Sequence, residues 1–366
     1  MYRKWSFFVR QRFHHIASPS ISQSPPLTAS MVNYSDIVQG NKHFSRQHWN
    51  AGDVVGVFAG ATSGIGARTL ERMTTMFRTP TFYVLGRSSA RFASQRKTLE
   101  SLNPGCKIVY IETDVSLISG IESACRQIKA AEAKVDYLYM SMGGLPLAGA
   151  QYTNEGLETC FALSYFCRAR LLFGLLPLLN RSTRPRVLSV LNGGREAFID
   201  EQDLGLERKW SLQGVVNQTT LLTSLTFDGI AAQNSKLTLI HNAPGLVESD
   251  NLKRINPPAD MTILRRVYIR IVRFIFTVMR YFMGMSPKEA GERQTYHLTS
   301  DVYGPGSFRV SKSSDVVPDN EALLSYRADG WVDRAWQFTL ATWTRALAVG
   351  SGSDLSQEHD SKVHDS

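Results

Sequence analysis

Short apolar runs alternate with amphipathic stretches from Val54 to about Gln233, and this alternation predicts parallel strands joined by helices. The runs Val54–Ala59, Phe82–Leu85, Lys107–Glu112, Val135–Ser141, Arg186–Leu191 and Leu237–Asn242 are the candidate strands. Their dense apolar character suits a sheet covered on both faces. A helical stretch, Leu117–Ala131, follows the third run, and Asp114 stands where an N-cap is expected. The expected fold is α/β: a single Rossmann-like, doubly wound parallel sheet with helices on both faces, spanning residues 31–350.

The first run ends in VVGVFAGATSGIG, with glycines at 60, 64 and 66 and a helical pattern immediately after. A buried strand delivers the chain to a tight bend there. The glycines let backbone approach a pyrophosphate, and the next helix points its amides at the phosphates. Gly60, Thr62, Ser63, Gly64, Ile65 and Gly66 are therefore candidate dinucleotide-binding residues.

The spacing GATSGIG, with three residues between the first two glycines, resembles the short-chain dehydrogenase/reductase family. Further landmarks follow in the family's order. IVYIETDVS ends at Asp114, where the family places an aspartate near the adenine, and VDYLYMSMGG sits where it has an Asn-Asn-Ala-Gly strand, which brings in Ser141 and Gly143. IHNAPGLVES resembles the Pro-Gly segment after the sixth strand. The resemblance covers roughly residues 50 to 300 and looks closest, through GLETCFALSYF, DEQDLGL and SPKEAGERQ, to a branch common in fungal secondary-metabolism clusters. It implies an oxidoreductase acting on a hydrophobic metabolite such as a terpenoid or polyketide. At the end of the second run, TFYVLGRSS carries Arg87 where an NAD enzyme would place an acid on the ribose 2′-hydroxyl. A guanidinium there pairs with a 2′-phosphate, so NADP is the expected cofactor, unless Arg87 is simply a solvated strand-end arginine.

The family's proton chemistry is missing. Its general acid/base tyrosine needs a lysine four residues later to lower the phenol pKa. No Tyr-x-x-x-Lys pair occurs between Gly193 and Asn234, and the nearest match places Trp210 at the tyrosine and Gly214 at the lysine. Lys209, adjacent to Trp210, points elsewhere. Asn192 stands where the family's serine is expected, with Ser189 earlier in the strand; Ser164 replaces the family's helix asparagine, and Ser141 another asparagine. The catalytic residue is left unassigned. Either hydride transfer persists with a proton from water, substrate or a residue such as Tyr165, or the fold does non-redox or non-catalytic work on a bound dinucleotide.

The formal net charge of +9 is local, because Arg3, Lys4, Arg10 and Arg12 and the five arginines from Arg265 to Arg280 account for all of it. No nucleic-acid motif accompanies it, and nucleic acid is excluded as a partner. Four cysteines without metal-ligand spacing imply reduced thiols, no metal site and a cytoplasmic location. Residues 1–30 contain no Asp or Glu and are rich in Ser and Arg, the composition of a mitochondrial presequence, although Met31 opens a second plausible start that would make them a disordered extension. Residues 351–366 are polar and expected to be disordered. Around 262–285, Arg266, Arg270, Arg273, Thr277 and Arg280 form one stripe of an amphipathic helix. It is expected to close over the substrate as a packed lid, or else to lie on an anionic membrane surface.

Overall fold

A computed structural model describes residues 32–144, 149–245, 247 and 285–363. The first half runs α1 (Tyr34–His48), β1 (Val55–Ala59), α2 (Gly64–Thr74), β2 (Thr81–Gly86), α3 (Ser89–Leu102), β3 (Lys107–Glu112), α4 (Ile118–Ala131) and β4 (Tyr137–Met140). The second half begins with α5 (Thr159–Leu179), which contains a π-helical turn at Ala162–Phe166. It continues through β5 (Arg186–Val190), α6 (Leu212–Gln233), β6 (Thr238–Asn242), α7 (Pro287–Thr299), β7 (Gly306–Val310), α8 (Glu321–Ala328) and α9 (Trp331–Val363). The strands form one sheet in the order β3-β2-β1-β4-β5-β6-β7, and every neighbouring pair is parallel. The doubly wound α/β expectation is met.

Alternation along the strands builds two cores, one on each face. Val57, Leu85, Ile111, Leu138, Val187 and Leu239 pack with α4, α5, α6, α8 and α9. Phe58, Phe82, Ile108, Tyr139, Leu188 and Ile240 point the other way and pack with α1, α2, α3 and α7. Because both faces are covered, the strands are apolar nearly throughout, which is why six of them can be located from sequence.

β7 is the strand that the sequence pattern misses. GSFRV offers only Phe308 and Val310 as apolar residues, too few for an alternation signal. Its place at the sheet edge is reinforced by charge: Arg309 Nη1 donates to Asp228 at 2.9 Å, Arg327 Nε donates to Asp228 at 2.8 Å, and both arginines also pair with Asp319. This closed ring ties β7 to α6 and α8.

Three further expectations are corrected. Asp114 does not cap α4: its carboxylate accepts from Ser116 N at 2.9 Å and Ser116 Oγ at 2.7 Å, inside its own turn. The α4 amides of Ile118 and Ser119 are instead held by buried Glu155, at 2.5 and 2.8 Å. The fourth strand is shorter than Val135–Ser141, because Ser141 has already turned toward the glycine loop. The polar tail from residue 351 continues α9 to Val363; it contains no proline, and extending a formed helix costs far less than nucleating one. The N-terminal extension and the amphipathic segment before Met285 lie outside the described residues. That segment departs at Val247 and returns at Met285, two residues joined by a parallel bridge.

Asp228→Asn leaves Arg309, 7 % exposed, short of a counter-charge, so unfolding in urea should show a loss of about 3 kcal/mol. A loss below about 0.5 kcal/mol would mean that the ring is no more than solvated surface charge.

Candidate functional site

Parallel pairing places every strand's carboxyl end on one edge. From β1 the chain winds toward β2, and from β4 it winds the other way toward β5, so a crevice opens between the segments that follow β1 and β4. In open α/β sheets this is where ligands bind.

The glycine loop closes onto β4 at this crevice. Gly60 has φ +84°, and a Cβ there would sit 2.3 Å from Met142 N; one on Gly66 would sit 2.3 Å from the Gly60 carbonyl oxygen. Ser141 N donates to the Ala59 carbonyl at 2.9 Å, and its hydroxyl donates to Gly60 O at 3.0 Å. Thus Gly60, Gly66 and Ser141, far apart in sequence, form one junction. Gly64 and Ile65 begin α2. Ser63, the N-cap residue, is extended with its side chain unbonded, and the first turn carries no acid. Elsewhere α3, α6, α7 and α8 receive caps from Ser88, Ser211, Ser286 and Asn320, α4 from Glu155, and the first turn of α5 from Glu158. The starts of α1 and α9 carry Asp36 and Asp333. Among the described helices α2 alone starts with neither a side-chain acceptor nor an acid. Its amides and dipole are open to an anion.

Thr62 packs its methyl group toward Gly86, the last residue of β2. The exposed Arg87 follows and has no hydrogen bond or ion pair among the described residues. Ser88 N donates to Tyr110 Oη at 3.0 Å, while Ser89 N and Oγ donate to Glu112 at 3.2 and 2.7 Å. Those two bonds hold the Glu112 carboxyl below its ordinary range. Gly143 and Gly144 are exposed beside the junction, and nothing lies within 4 Å of where a Gly144 Cβ would be. An uncapped helix start, a free guanidinium and open glycines make a donor set that fits a dinucleotide.

Among the described residues, the positions at which the sequence pattern looks for proton-transfer groups carry none. Trp210 precedes the α6 cap, and its indole N–H is buried without a partner among the described residues. Gly214 occupies the first turn of α6, where a Cβ would lie 2.9 Å from Leu206 Cδ2, so a side chain there requires the end of Leu206 to shift. Asn192 follows β5, half-buried, and its carboxamide has no partner among the described residues. Ser164 is buried in the π-helical turn. Such turns are common at functional sites. Tyr165 is not a proton source. Its hydroxyl bonds Thr226 at 2.8 Å and Thr339 at 2.5 Å in the core between α6 and α9, and burial pushes its pKa up to about 12.

Two buried groups beneath the site are not flagged by the sequence pattern. His241 Nε2 accepts from Asn192 N at 3.3 Å, its Nδ1 meets Ser224 Oγ at 2.9 Å, and Ser224 donates to Glu196 at 2.6 Å. Burial, aided by the charges of Arg168 and Arg309, pushes His241 down to about 3, against the opposite pull of the buried Glu196 carboxylate 3.9 Å from Nδ1; burial outweighs that pull and favours the neutral ring. Arg168 on α5 donates to Leu163 O at 3.0 Å, Ser189 Oγ at 2.9 Å and Val190 O at 2.8 Å, and also to Met142 O. The available signal was a cation inside the apolar helix FALSYFCRARLLFGLLPLL. Its meaning depends on which strand ends it reaches.

The chain is similar to the oxidoreductase lepF of Aspergillus flavus, at 33 % identity over 84 % of this chain and 96 % of that protein. It is also similar to a short-chain dehydrogenase/reductase of Stachybotrys chartarum, at 28 % identity over 74 % of this chain and 79 % of the other. Among solved structures, a 3-oxoacyl-(acyl-carrier-protein) reductase of Agrobacterium tumefaciens with NADP bound shares the fold, with TM-score 0.53 at 13 % identity over 74 % of this chain and 96 % of that one. No family model matches the chain.

His241 has a folded pKa near 3 against an ordinary value of 6.5, so its neutral form is favoured by folding. That contribution is complete above pH 6.5 and is lost as pH falls toward 3, at up to about 1.4 kcal/mol per pH unit. Urea titrations between about pH 4 and 7 should therefore show a shallower acid slope for His241→Asn than for the unmodified protein. Parallel curves would contradict a neutral buried His241.

Proposed function

The chain belongs to the short-chain dehydrogenase/reductase family, and on that premise we propose that it is an NADP-dependent oxidoreductase acting on a hydrophobic metabolite. The observation that supports this most is the uncapped start of α2, facing the Gly60–Ser141 junction beside open glycines. The amides of Gly64, Ile65 and Gly66 would hold the pyrophosphate and Arg87 the 2′-phosphate, with Asp114 near the adenine and Ser141 and Gly143 along the nicotinamide half. Bound there, the nicotinamide supplies or accepts a hydride. Asn192 offers its carboxamide to a substrate oxygen, as donor or acceptor. Trp210 cannot exchange a proton at neutral pH, and it walls the pocket with an apolar ring. The proton then comes from water or from the substrate. Tyr152 and Phe198 are exposed on the segments after β4 and β5, and apolar surface of this kind would suit a hydrophobic substrate. The resemblance of GLETCFALSYF, DEQDLGL and SPKEAGERQ to the fungal secondary-metabolism branch is what favours a metabolite of the terpenoid or polyketide kind.

Arg87 favours NADP, whereas Glu112, held on both donors of Ser89, opposes a second phosphate contact. The 2′-phosphate therefore depends on the single guanidinium. NADPH should bind more tightly than NADH, and Arg87→Ala should narrow the difference by roughly tenfold to a hundredfold, the worth of one charge-assisted pair. Equal affinities in the unmodified protein would overturn the NADP assignment.

The absent Tyr-x-x-x-Lys pair favours a second reading, in which the site isomerises or dehydrates its substrate over a bound dinucleotide. With an aromatic ortho-quinone as probe, the redox reading expects stoichiometric NADPH oxidation. It also expects Trp210→Phe to keep most of the rate and Asn192→Ala to reduce it modestly. A collapse in Trp210→Phe with NADPH affinity intact would contradict both roles. Conversion of a substrate without net NADPH consumption would establish the second reading.

A further inference from the structure

Helix α5 carries two arginines in an otherwise apolar stretch, and the fold treats them differently. Arg170 is paired with Glu122 and lies over the Trp343 ring, with 5.0 Å to its centroid. Arg168 is 4 % exposed, and no carboxylate pairs with it among the described residues. Its five donor contacts go to carbonyl oxygens and one serine hydroxyl: Leu163, Met140, Met142, Val190 and Ser189. Carbonyl dipoles solvate a guanidinium in part but leave its unit charge uncompensated. Removing an ion from water without a counter-ion is costly, so a purely structural clamp would be better served by a neutral amide.

The position of this charge gives it a use. Arg168 grips Met142 O, adjacent to Gly143, and Val190 O, two residues before Asn192. Its Nη2 would lie 3.5 Å from a Cβ on Gly143. The guanidinium is thus beneath the floor of the crevice, under the two residues assigned to the nicotinamide half and to the substrate oxygen. Its field already reaches His241 across the β5 end and helps to keep that ring neutral.

We propose that Arg168 is a fixed positive charge under the nicotinamide position, which disfavours the oxidised, positively charged ring and so tunes the site to hold the reduced dinucleotide. The inference rests on the dinucleotide reading above. Arg168 touches neither substrate nor cofactor; it is a positioning residue that fixes the ends of β4 and β5 and sets the local potential. The same field favours negative charge developing on a substrate oxygen, which matters more in a site without a tyrosine and lysine to neutralise it.

The test measures dissociation constants for NADPH and NADP+ by quenching of tryptophan fluorescence, with circular dichroism to confirm folding. The unmodified protein should bind NADPH more tightly than NADP+, and Arg168→Lys, which keeps the charge, should retain most of that ratio. Arg168→Gln should shrink the ratio by roughly tenfold, the order expected of one buried unit charge at short range. Should Arg168→Gln fail to fold, Ser164→Asp provides a carboxylate beside the guanidinium without removing it, and should shrink the ratio in the same direction. Unchanged ratios in the folded variants, with both nucleotides bound, would overturn the role of Arg168 alone. Failure of the unmodified protein to bind either nucleotide would overturn the cofactor reading and this inference together.

Discussion

The pairing of β1 with β4 is the constraint on which the rest of the protein depends. It puts side by side two strands whose following segments diverge, and it brings Ser141 against the carbonyl of Gly60, 81 residues earlier in the chain. Because a side chain at 60 or 66 would collide with backbone, the junction closes only with glycine at both positions. Once it is closed, the start of α2 has its direction, the Met142–Gly144 segment has its height above the sheet, and Arg168 has carbonyls to hold. The two cores stiffen this edge from both faces.

The junction divides the site into halves of different chemistry. On the β1 to β3 side the proposed phosphate site combines an uncapped helix start, an unpaired guanidinium and small side chains, with the Glu112 carboxylate held on Ser89 beside them. On the β4 to β6 side the positions where the resemblance leads one to expect proton-transfer groups carry an amide, an indole and a glycine. Charge is still present there, but it is buried. Arg168 supplies a field rather than a proton, and neutral His241 supports the Asn192 backbone from below. A site of this kind can orient a carbonyl and bias the state of a bound ring while leaving proton delivery to solvent.

How far the sequence reveals this depends on range. Gly60–Gly66 is legible because strand, turn and helix are contiguous, and each uses chemistry that local residues disclose. The parallel strands are legible because burial on both faces makes each an apolar run. Interactions between distant segments are not legible. The α4 cap comes from Glu155 rather than nearby Asp114, a replacement that only the folded chain brings about. β7 is held by an ion-pair ring whose members come from distant parts of the chain. Tyr165, plausible as an acid in the sequence, faces Thr226 and Thr339 in the core, and which face of a π-helical turn a residue occupies cannot be read from composition. Arg168 stands out only as a cation in an apolar helix, and its meaning comes from the strand ends above it.

The central claim is the proposed dinucleotide cradle at the β1–β4 junction, with Gly214, which offers no side chain, in the first turn of α6. Amide hydrogen exchange with and without saturating NADPH tests it most directly, because exchange reports contacts at each backbone position without requiring a substrate. Exchange should slow at Gly64–Gly66 and at Gly143–Gly144, with the first turn of α6 around Gly214 unchanged. Slowing at Gly214 without slowing at Gly64–Gly66 would contradict the claim.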